Sequence, residues 1–224
     1  MSDNAFLDKG VILGYCFYTD THHLRCKNYI ESTGTDFYAT KQVEDIFQKA
    51  KDHIIRKHRR AITDFIRWMK AEYSGTLTQE DITEIQGHID RYENPAWRYL
   101  LDYFEDKSGK QVYPVNKNLR QLVRDFEQLA AERNEELQPN IYGWIRFAEY
   151  SDLRDDLRSL FRKDEEDYWI TVDAHDVGLN IDGTTELATN NPSDFDNDTI
   201  RKEILEHTAI DEINLIFVSR SYSP

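Results

Sequence analysis

Acidic and amide side chains follow four segments of this chain that the sequence predicts as strand ends or helix starts. In open α/β sheets, ligands bind outside the carboxyl ends of the strands, where such side chains converge. Oxygen ligands favour hard cations, so three or four of them at this edge predict a site for Mg²⁺ or Mn²⁺. A bound cation there could activate a water molecule and stabilise the charge on a phosphodiester. The candidates are Asp8 at the end of AFLD, Glu44 and Asp45 after DFYAT, Asp173 and Asp176 one turn apart in YWITVDAHDV, and Asn191 and Asp194 after TELAT.

A purely structural origin of this pattern has to be weighed against the metal site. The chain contains 42 Asp and Glu residues, so some of them fall at strand ends by chance. Helix starts also favour carboxylates, because the helix dipole stabilises negative charge there. The spacing alone therefore leaves both interpretations open.

Hydrophobic periodicity predicts the elements that would position these residues. Apolar and β-branched runs predict strands near both ends of the chain, and three- and four-residue spacing predicts helices between them. This order predicts an α/β fold, a single domain over 1–224 with an all-helical insertion at about 75–163. We expect strands over 5–8, 11–17, 36–40, 185–189 and 213–219, and helices over 21–32, from Thr40 to the break at SGT (74–76), and over 79–92, 95–105, 117–137, 141–149, 151–162, 165–179 and 198–207.

Composition is that of a globular protein. Hydrophobic residues make up 39% of the 224 residues, and no apolar run is long enough for a membrane span. The first residues lack the basic and apolar segments of a signal peptide. We therefore expect a cytoplasmic protein with no membrane contact, and two cysteines are too few for a disulfide framework.

The net charge of −14 argues against a general affinity for nucleic acid, but the charge is unevenly distributed. Residues 41–70 carry nine basic and four acidic side chains, whereas residues 164–224 carry three basic and fifteen acidic ones. The strongest basic cluster is in IIRKHRRAI, and its side chains could neutralise RNA phosphates. A solvated helix face explains the cluster about equally well. Its members are Arg56, Lys57, Arg59 and Arg60.

Four sequence blocks follow one another in a characteristic order. The blocks are FLDKGVILGYCFYTDTHHLRCKNYIE, DFYATKQVEDIFQ, VDAHDVGLNIDGTTELATNNPSDF and ILEHTAIDEINLIFVS. The first has a strand closed by an aspartate and then a helix, and the second has a helix that supplies a glutamate. The third has an aspartate-bearing helix, a short strand and an Asp-Phe ending, and the fourth has a closing helix and strand. This order resembles that of PIN domains, the nuclease fold of VapC-type toxins, and the resemblance covers roughly 1–70 and 164–220.

This resemblance implies a PIN-like central parallel sheet flanked by helices. It also implies a metal-dependent ribonuclease that uses Mg²⁺ or Mn²⁺, and many members of the family are toxins neutralised by an antitoxin protein. Carried over to this sequence, the metal ligands are Asp8, Glu44 (with Asp45 as the alternative), Asp173, Asp176 as an auxiliary ligand and Asn191, and the catalytic residues are Asp8, Glu44, Asp173 and Asp194.

Two departures from the family pattern predict an alternative function. The opening triplet is Asp8-Lys9-Gly10, with glycine in place of an Asn-like residue, and Asn191 stands where many members have Asp. Lys9 could contact an RNA phosphate, or it could stabilise the Asp8 carboxylate without a metal. The alternative is therefore a PIN-like module with an impaired metal site that binds RNA or protein. The aromatic segment 93–104 predicts core packing or, if exposed, the surface of a homodimer or of an antitoxin complex.

Overall fold

The computed structural model describes residues 2–32, 34–40, 43–91, 94–158, 160–161 and 165–218, and the side chains of Val43, Glu44, Arg154, Arg158, Glu165 and Asp194 lie outside the described part. The strands are β1 (Asn4–Leu7), β2 (Asp36–Ala39), β3 (Ile141–Gly143), β4 (Thr185–Thr189) and β5 (Glu212–Leu215). The helices are α1 (Lys9–Cys16), α2 (His23–Ser32), α3 (Val43–Glu72), α4 (Gln79–Arg91), α5 (Trp97–Phe104), α6 (Val112–Leu137), α7 (Ser151–Arg158), α8 (Glu165–Asn180), α9 (Pro192–Phe195) and α10 (Asp198–His207). Within the described ranges, no helix is long and apolar enough to cross a membrane.

The five strands form one parallel sheet in the order β3-β2-β1-β4-β5. The central strand β1 pairs with β2 on one side and β4 on the other, so that Phe6 lies opposite both Tyr38 and Leu187. The chain runs outward from β1 to β2 and β3, and then returns to the other side of β1 for β4 and β5. The carboxyl ends of β1 and β4 therefore flank the point where open α/β sheets bind ligands. The predicted α/β fold with a central sheet flanked by helices is confirmed.

Successive residues of the strands face two separate apolar cores. In β1, Ala5 and Leu7 pack in a core with residues of α1, α2, α3 and α6, whereas Phe6 packs in the opposite core with residues of α7, α8 and α10. Because helices cover both faces, a central strand needs no polar face. All five residues of β4 are accordingly buried.

A third apolar core lies among the helices of the middle of the chain. The long helices α3 and α6 take part in two cores, since Phe47 and Phe126 belong to a sheet core and Ile62 and Leu119 belong to the third. Helices α4 and α5 contribute to the third core only. The apolar face of α5 is buried there, which confirms the core-packing interpretation of the segment 93–104 for this helix.

Two predictions of local structure are wrong. The expected strand over 11–17 lies in α1, which is buried around most of its circumference and so lacks the polar face by which a helix is recognised. The expected helix over 141–149 is β3 followed by an irregular segment. Strand β3 pairs with β2, which is a contact between residues far apart in sequence that local periodicity does not encode. The insertion expected at about 75–163 therefore includes one strand of the sheet.

We expect Gly178→Ala to destabilise the protein by about 1–3 kcal/mol, because a methyl group in this position has no space. A Cβ atom at Gly178 of α8 would lie 2.2 Å from the backbone carbonyl oxygen of Ala209. Gly87→Ala in α4 is the matched control, since nothing lies within 4 Å of its added Cβ. That control should stabilise the protein by about 0.5–1 kcal/mol. Urea unfolding measures both, and equal changes in the two variants would contradict the close packing of α8 on the residues before β5.

Candidate functional site

Asp8 is a buried carboxylate at the point where β1 ends and α1 begins. Its backbone N–H donates to the carbonyl of Ala188 in β4 at 2.9 Å, which continues the strand pairing to the end of both strands. Its side chain caps α1 by accepting a hydrogen bond from the N–H of Gly10 at 3.3 Å. Only 5% of the residue is exposed. The aspartate in the apolar run is therefore explained first by helix capping at a strand end.

The residues after β4 connect Asp8 to a second buried carboxylate. The hydroxyl of Thr189 donates to Asp8 Oδ2 at 2.8 Å and accepts from the backbone N–H of Asn191 at 3.0 Å. The side-chain amide of Asn191 then donates to Asp167 Oδ2 at 3.4 Å. Asp8, Thr189, Asn191 and Asp167 thus form one chain of contacts at the carboxyl edge of β1 and β4.

Asp167 was not among the residues that the sequence pattern proposed. It lies in the first turn of α8 and is 5% exposed. The local signal was available, because Asp167 is an acidic residue at the start of the helix that leads into β4. The helix dipole stabilises its negative charge in that position. The one-turn spacing of Asp173 and Asp176 and the family resemblance directed the prediction to those two residues instead.

Asp173 and Asp176 hold a different part of the chain, the segment 144–150. Asp173 Oδ1 lies 2.6 Å from Arg146 Nε. Asp176 is fully buried and accepts hydrogen bonds from Trp144 Nε1 at 2.7 Å, from the backbone N–H of Phe147 at 3.1 Å and from the hydroxyl of Tyr150. Donors from this segment therefore contact both carboxylates, and Thr40 adds a hydrogen bond to Asp173 and Asn180 one to Asp176 at 3.3 Å.

The segment 144–150 is fixed at both ends. The backbone N–H of Trp144 donates to the carbonyl of Ala39 at the end of β2 at 2.7 Å. Tyr150 adopts φ 46°, in the left-handed region that costs a non-glycine residue about 1 kcal/mol or more. Its ring packs against His175 with the centroids 4.7 Å apart, and its hydroxyl is held by Asp176. These contacts offset the strain and keep the segment on α8.

Burial raises the pKa of two of these carboxyls. For Asp8, desolvation acts against hydrogen bonds from Thr189 and Gly10 and against the charge of Lys9, and the pKa lies above its ordinary value. For Asp173, desolvation raises the pKa, and the adjacent Arg146 opposes it. The difference between the sites is that Asp173 has a guanidinium in direct contact, whereas the direct partners of Asp8 are neutral.

Lys9 is engaged by a neighbour rather than by Asp8. Its ammonium group forms an ion pair with Glu166, which precedes Asp167 in the first turn of α8, and both side chains are about half exposed. This pair joins the start of α1 to the start of α8 across the candidate site. An exposed ion pair of this kind is weak, so the two side chains can separate at little cost.

The positions of the other predicted ligands are defined only in part. Glu44 lies in the first turn of α3, and Asp194 lies in α9, but their side chains are outside the described residues. Asp45, the alternative to Glu44, is exposed on α3. Among the side chains that the structure describes, no three Asp, Glu, His or Cys residues lie together in a way that could hold a metal ion.

The chemistry of the donors nevertheless fits a hard cation. Asp8 and Asp167 are buried carboxylates, and the neighbouring Asn191 and Thr189 add an amide and a hydroxyl oxygen. Such an all-oxygen set suits Mg²⁺ or Mn²⁺ and is unsuited to zinc, which prefers nitrogen and sulfur. A buried carboxylate whose direct partners are neutral is also costly, and a cation would offset that cost.

The basic residues of α3 divide into two groups. Arg59 packs on α6, where its Nε donates to a backbone carbonyl at 3.1 Å and its guanidinium lies 3.6 Å from Glu127. Arg56, Lys57 and Arg60 are exposed and line a shallow groove on the surface. At 1.5 Å per residue, Arg56 lies about 20 Å along α3 from the helix start at the sheet edge. Arg59 is thus committed to packing, and the other three face solvent.

In EDTA, we expect Asp8→Asn to become more stable relative to the wild type as the pH rises from about 4 to about 8. Because the pKa of Asp8 is raised in the folded state, that state holds more protons than the unfolded state just above the ordinary pKa. The free energy of unfolding of the wild type therefore falls as the pH rises, and asparagine removes this dependence.

Asp3→Asn provides a control of opposite sign. Hydrogen bonds from Thr184 lower the pKa of Asp3, so its contribution to stability appears as the pH rises above the folded pKa. That variant should lose stability relative to the wild type as the pH rises from about 2 to about 4, and the difference should change little between about pH 5 and 8. Denaturant unfolding at several pH values measures both, and parallel pH profiles for the two variants would contradict the environment described for Asp8.

Comparisons with known proteins identify no relative of this chain. No protein-family model matches it, no curated protein matches it and no solved structure matches it. The functional argument therefore depends on the residues at the carboxyl edge of β1 and β4 and on the resemblance of the sequence blocks.

Proposed function

We propose that this protein is a divalent-metal-dependent ribonuclease that hydrolyses phosphodiester bonds of RNA. The observation that carries the proposal is the contact between two buried carboxylates, Asp8 and Asp167, through Thr189 and Asn191. They lie at the topological switch point of a parallel sheet, where ligands bind in this class of fold. The order of the PIN-like sequence blocks supports the same reaction.

Asp8 and Asp167 would hold Mg²⁺ or Mn²⁺, with Asn191 as an amide ligand. Glu44 and Asp194 belong to the proposed set because α3 and α9 begin after β2 and β4 at the same edge of the sheet. When bound, the metal would lower the pKa of a water molecule and offset the charge of the phosphodiester. Thr189 orients Asp8 through its hydroxyl, and Asn191 orients Asp167 through its amide.

We propose Asp167 in the third acidic position in place of Asp173 and Asp176. The carboxylate of Asp173 is already paired with Arg146, and that of Asp176 accepts three hydrogen bonds from the segment 144–150. Freeing either one for a metal would leave buried donors without partners, at a cost of several kcal/mol for the charged pair. Asp167 has its helix dipole and Asn191 as support, and the backbone N–H of Asn191 donates to the Thr189 hydroxyl that holds Asp8.

The basic groove of α3 supports RNA as the substrate. Arg56, Lys57 and Arg60 concentrate positive charge on an otherwise acidic protein. Lys9 would reach an RNA phosphate by separating from Glu166. Arg59 stabilises the packing of α3 on α6, so its contribution to RNA binding is indirect.

The second candidate is the binding module with an impaired metal site. It is favoured by the ion pair of Lys9 with Glu166 beside Asp8, and by the absence of a three-residue metal cluster among the described side chains. The antitoxin that the resemblance implied and the homodimer that the aromatic segment suggested stay predictions. An exposed aromatic face of 93–104 was the proposed surface for either partner, and α5 instead buries its apolar face.

A series of isosteric Asp→Asn variants tests the nuclease and its ligands. Asp8→Asn and Asp167→Asn should each reduce Mn²⁺- or Mg²⁺-dependent cleavage of a mixed RNA pool by about 100-fold or more, because each removes a metal ligand. Asp173→Asn is the matched control on the same helix α8. It should retain metal-dependent cleavage, and an effect of this substitution should be on KM only, because Asp173 acts through Arg146.

The alternatives give distinct results in this series. Loss of cleavage in Asp173→Asn with retention in Asp167→Asn would restore the assignment made from the sequence pattern. Absence of metal-dependent cleavage by the folded wild type would favour the binding module. Glu44→Gln and Asp194→Asn, measured in the same assay, assign the two ligands whose side chains are not described.

A triple variant of the basic groove tests RNA binding separately from cleavage. Arg56→Gln/Lys57→Gln/Arg60→Gln should weaken RNA binding by about tenfold or more and reduce the slope of log K against log salt by up to about 2, at roughly 0.7 for each phosphate that is no longer neutralised. The control removes three exposed basic residues elsewhere, Lys117, Arg98 and Lys202. Fluorescence anisotropy with a labelled RNA measures both. An equal weakening of RNA binding in the two variants would mean that net charge, and not the basic groove, causes the effect.

A further inference from the structure

A cleft of about 570 Å³ opens beside Asp8 between the ends of β1 and β2 and the starts of α3 and α8. This volume is within the range of pockets that bind small organic groups, about 300–1,000 Å³. Its walls are apolar, and its rim is polar. The apolar walls include Leu7, Leu13, Ile46, Ala50, Ile170 and Trp169.

Trp169 is the aromatic wall of the cleft, and it is held in place from outside. The indole is 36% exposed, and the guanidinium of Arg146 lies 4.4 Å from its ring centroid. Asp173 fixes that guanidinium through the 2.6 Å ion pair. Cation–π contact of this kind orients the ring, so the indole presents a defined surface to the cleft.

The rim of the cleft carries the groups expected around a nucleotide. Lys49 brings positive charge. Lys9 lines the cleft together with Glu166, its ion-pair partner. Thr40 brings a hydroxyl group that hydrogen-bonds Asp173. Asp8 lies between Leu7 and Lys9 in the chain, and Asp167 follows Glu166, so both carboxylates are chain neighbours of residues that line the cleft. An apolar slot with an aromatic wall, a lysine and a separable Lys–Glu ion pair at its border matches a nucleobase joined to a phosphate.

We propose that this cleft binds one unpaired nucleobase of an RNA strand against the indole of Trp169, next to the bond that is cleaved. The proposal rests on the ribonuclease function and adds a base-binding site to it. Proteins bind single strands by packing bases on aromatic side chains, whereas a duplex keeps its bases stacked and inaccessible. Arg146 and Asp173 are positioning residues for the indole.

The first experiment measures binding of a free nucleotide in EDTA, by NMR or calorimetry, with adenosine monophosphate and cytidine monophosphate as probes. Ribose 5-phosphate, which lacks the base, should bind at least tenfold more weakly than either nucleotide. Trp169→Ala should weaken nucleotide binding about tenfold or more, and Trp169→Phe should restore part of it. Tyr113→Ala is the matched control, because Tyr113 is an aromatic residue of α6 that is 74% exposed and is not among the residues lining the cleft.

Two results would overturn the proposal. One is equal binding of ribose 5-phosphate and the nucleotides, and the other is unchanged nucleotide binding by a folded Trp169→Ala variant. Because this assay contains neither metal nor cleavage, its failure is separate from failure of the ribonuclease function. If the protein cleaves RNA but binds no nucleotide, the ribonuclease function stands and the base site in the cleft is excluded.

The second experiment uses the cleavage assay on one RNA sequence, presented as a single strand and as a duplex. The wild type should cleave the single strand at least tenfold faster, and Trp169→Ala should reduce this preference through an increase in KM for the single strand. Arg146→Ala should give the same change in smaller measure, because Arg146 holds the indole but is not the surface on which the base packs. Because this variant also leaves the buried Asp173 unpaired, its folding is verified by denaturant unfolding. Equal cleavage of single strand and duplex by the wild type would exclude an unpaired base as the occupant.

Discussion

The hydrogen bond from Thr189 to the buried carboxylate of Asp8 is the interaction on which the arrangement of the site depends. It joins the ends of β1 and β4, the two strands at which the chain reverses its direction across the sheet. A buried carboxylate tolerates such a position only if donors surround it. The donors are the backbone N–H of Gly10, at the start of α1, and the hydroxyl of Thr189. The same carboxylate therefore joins the sheet edge to the helix cap in the candidate site.

Helix α8 shows how one element gives similar residues different roles. Its aspartates differ mainly in their neighbours: Asp167 contacts Asn191 after β4, Asp173 contacts Arg146, and Asp176 contacts the segment 144–150. A carboxylate that is fully paired with protein donors contributes stability and orientation. Asp167, which is supported by an amide and a helix dipole, is the one that we propose as a cation ligand. The environment of each side chain therefore separates this proposed ligand from the anchoring carboxylates along a single helix.

The long helices α3 and α6 connect the sheet to the helical core of the middle of the chain. Each contributes to a sheet core at one end and to the third core at the other. Arg59 strengthens this pairing through its contacts with α6, which leaves three neighbouring basic side chains on the exposed face of α3. The same packing that stabilises the helix pair therefore decides which positive charges are available to a polyanion.

The sequence by itself determined the fold class, the strands β1 and β4, the helices α8 and α10, and the presence of Asp8 at a strand end. These features follow from short-range pattern: apolar runs, three- and four-residue spacing, and capping residues. The sequence pattern predicted neither α1 nor β3. Helix α1 is buried around most of its surface and has no polar face, and the edge strand β3 depends on a distant partner. Only the tertiary structure decided that Asp167 lies near Asp8 while Asp173 and Asp176 hold another segment. The physical reason is that the partners of these carboxylates, Asn191 for one and Arg146 and Trp144 for the others, come from parts of the chain that folding brings together.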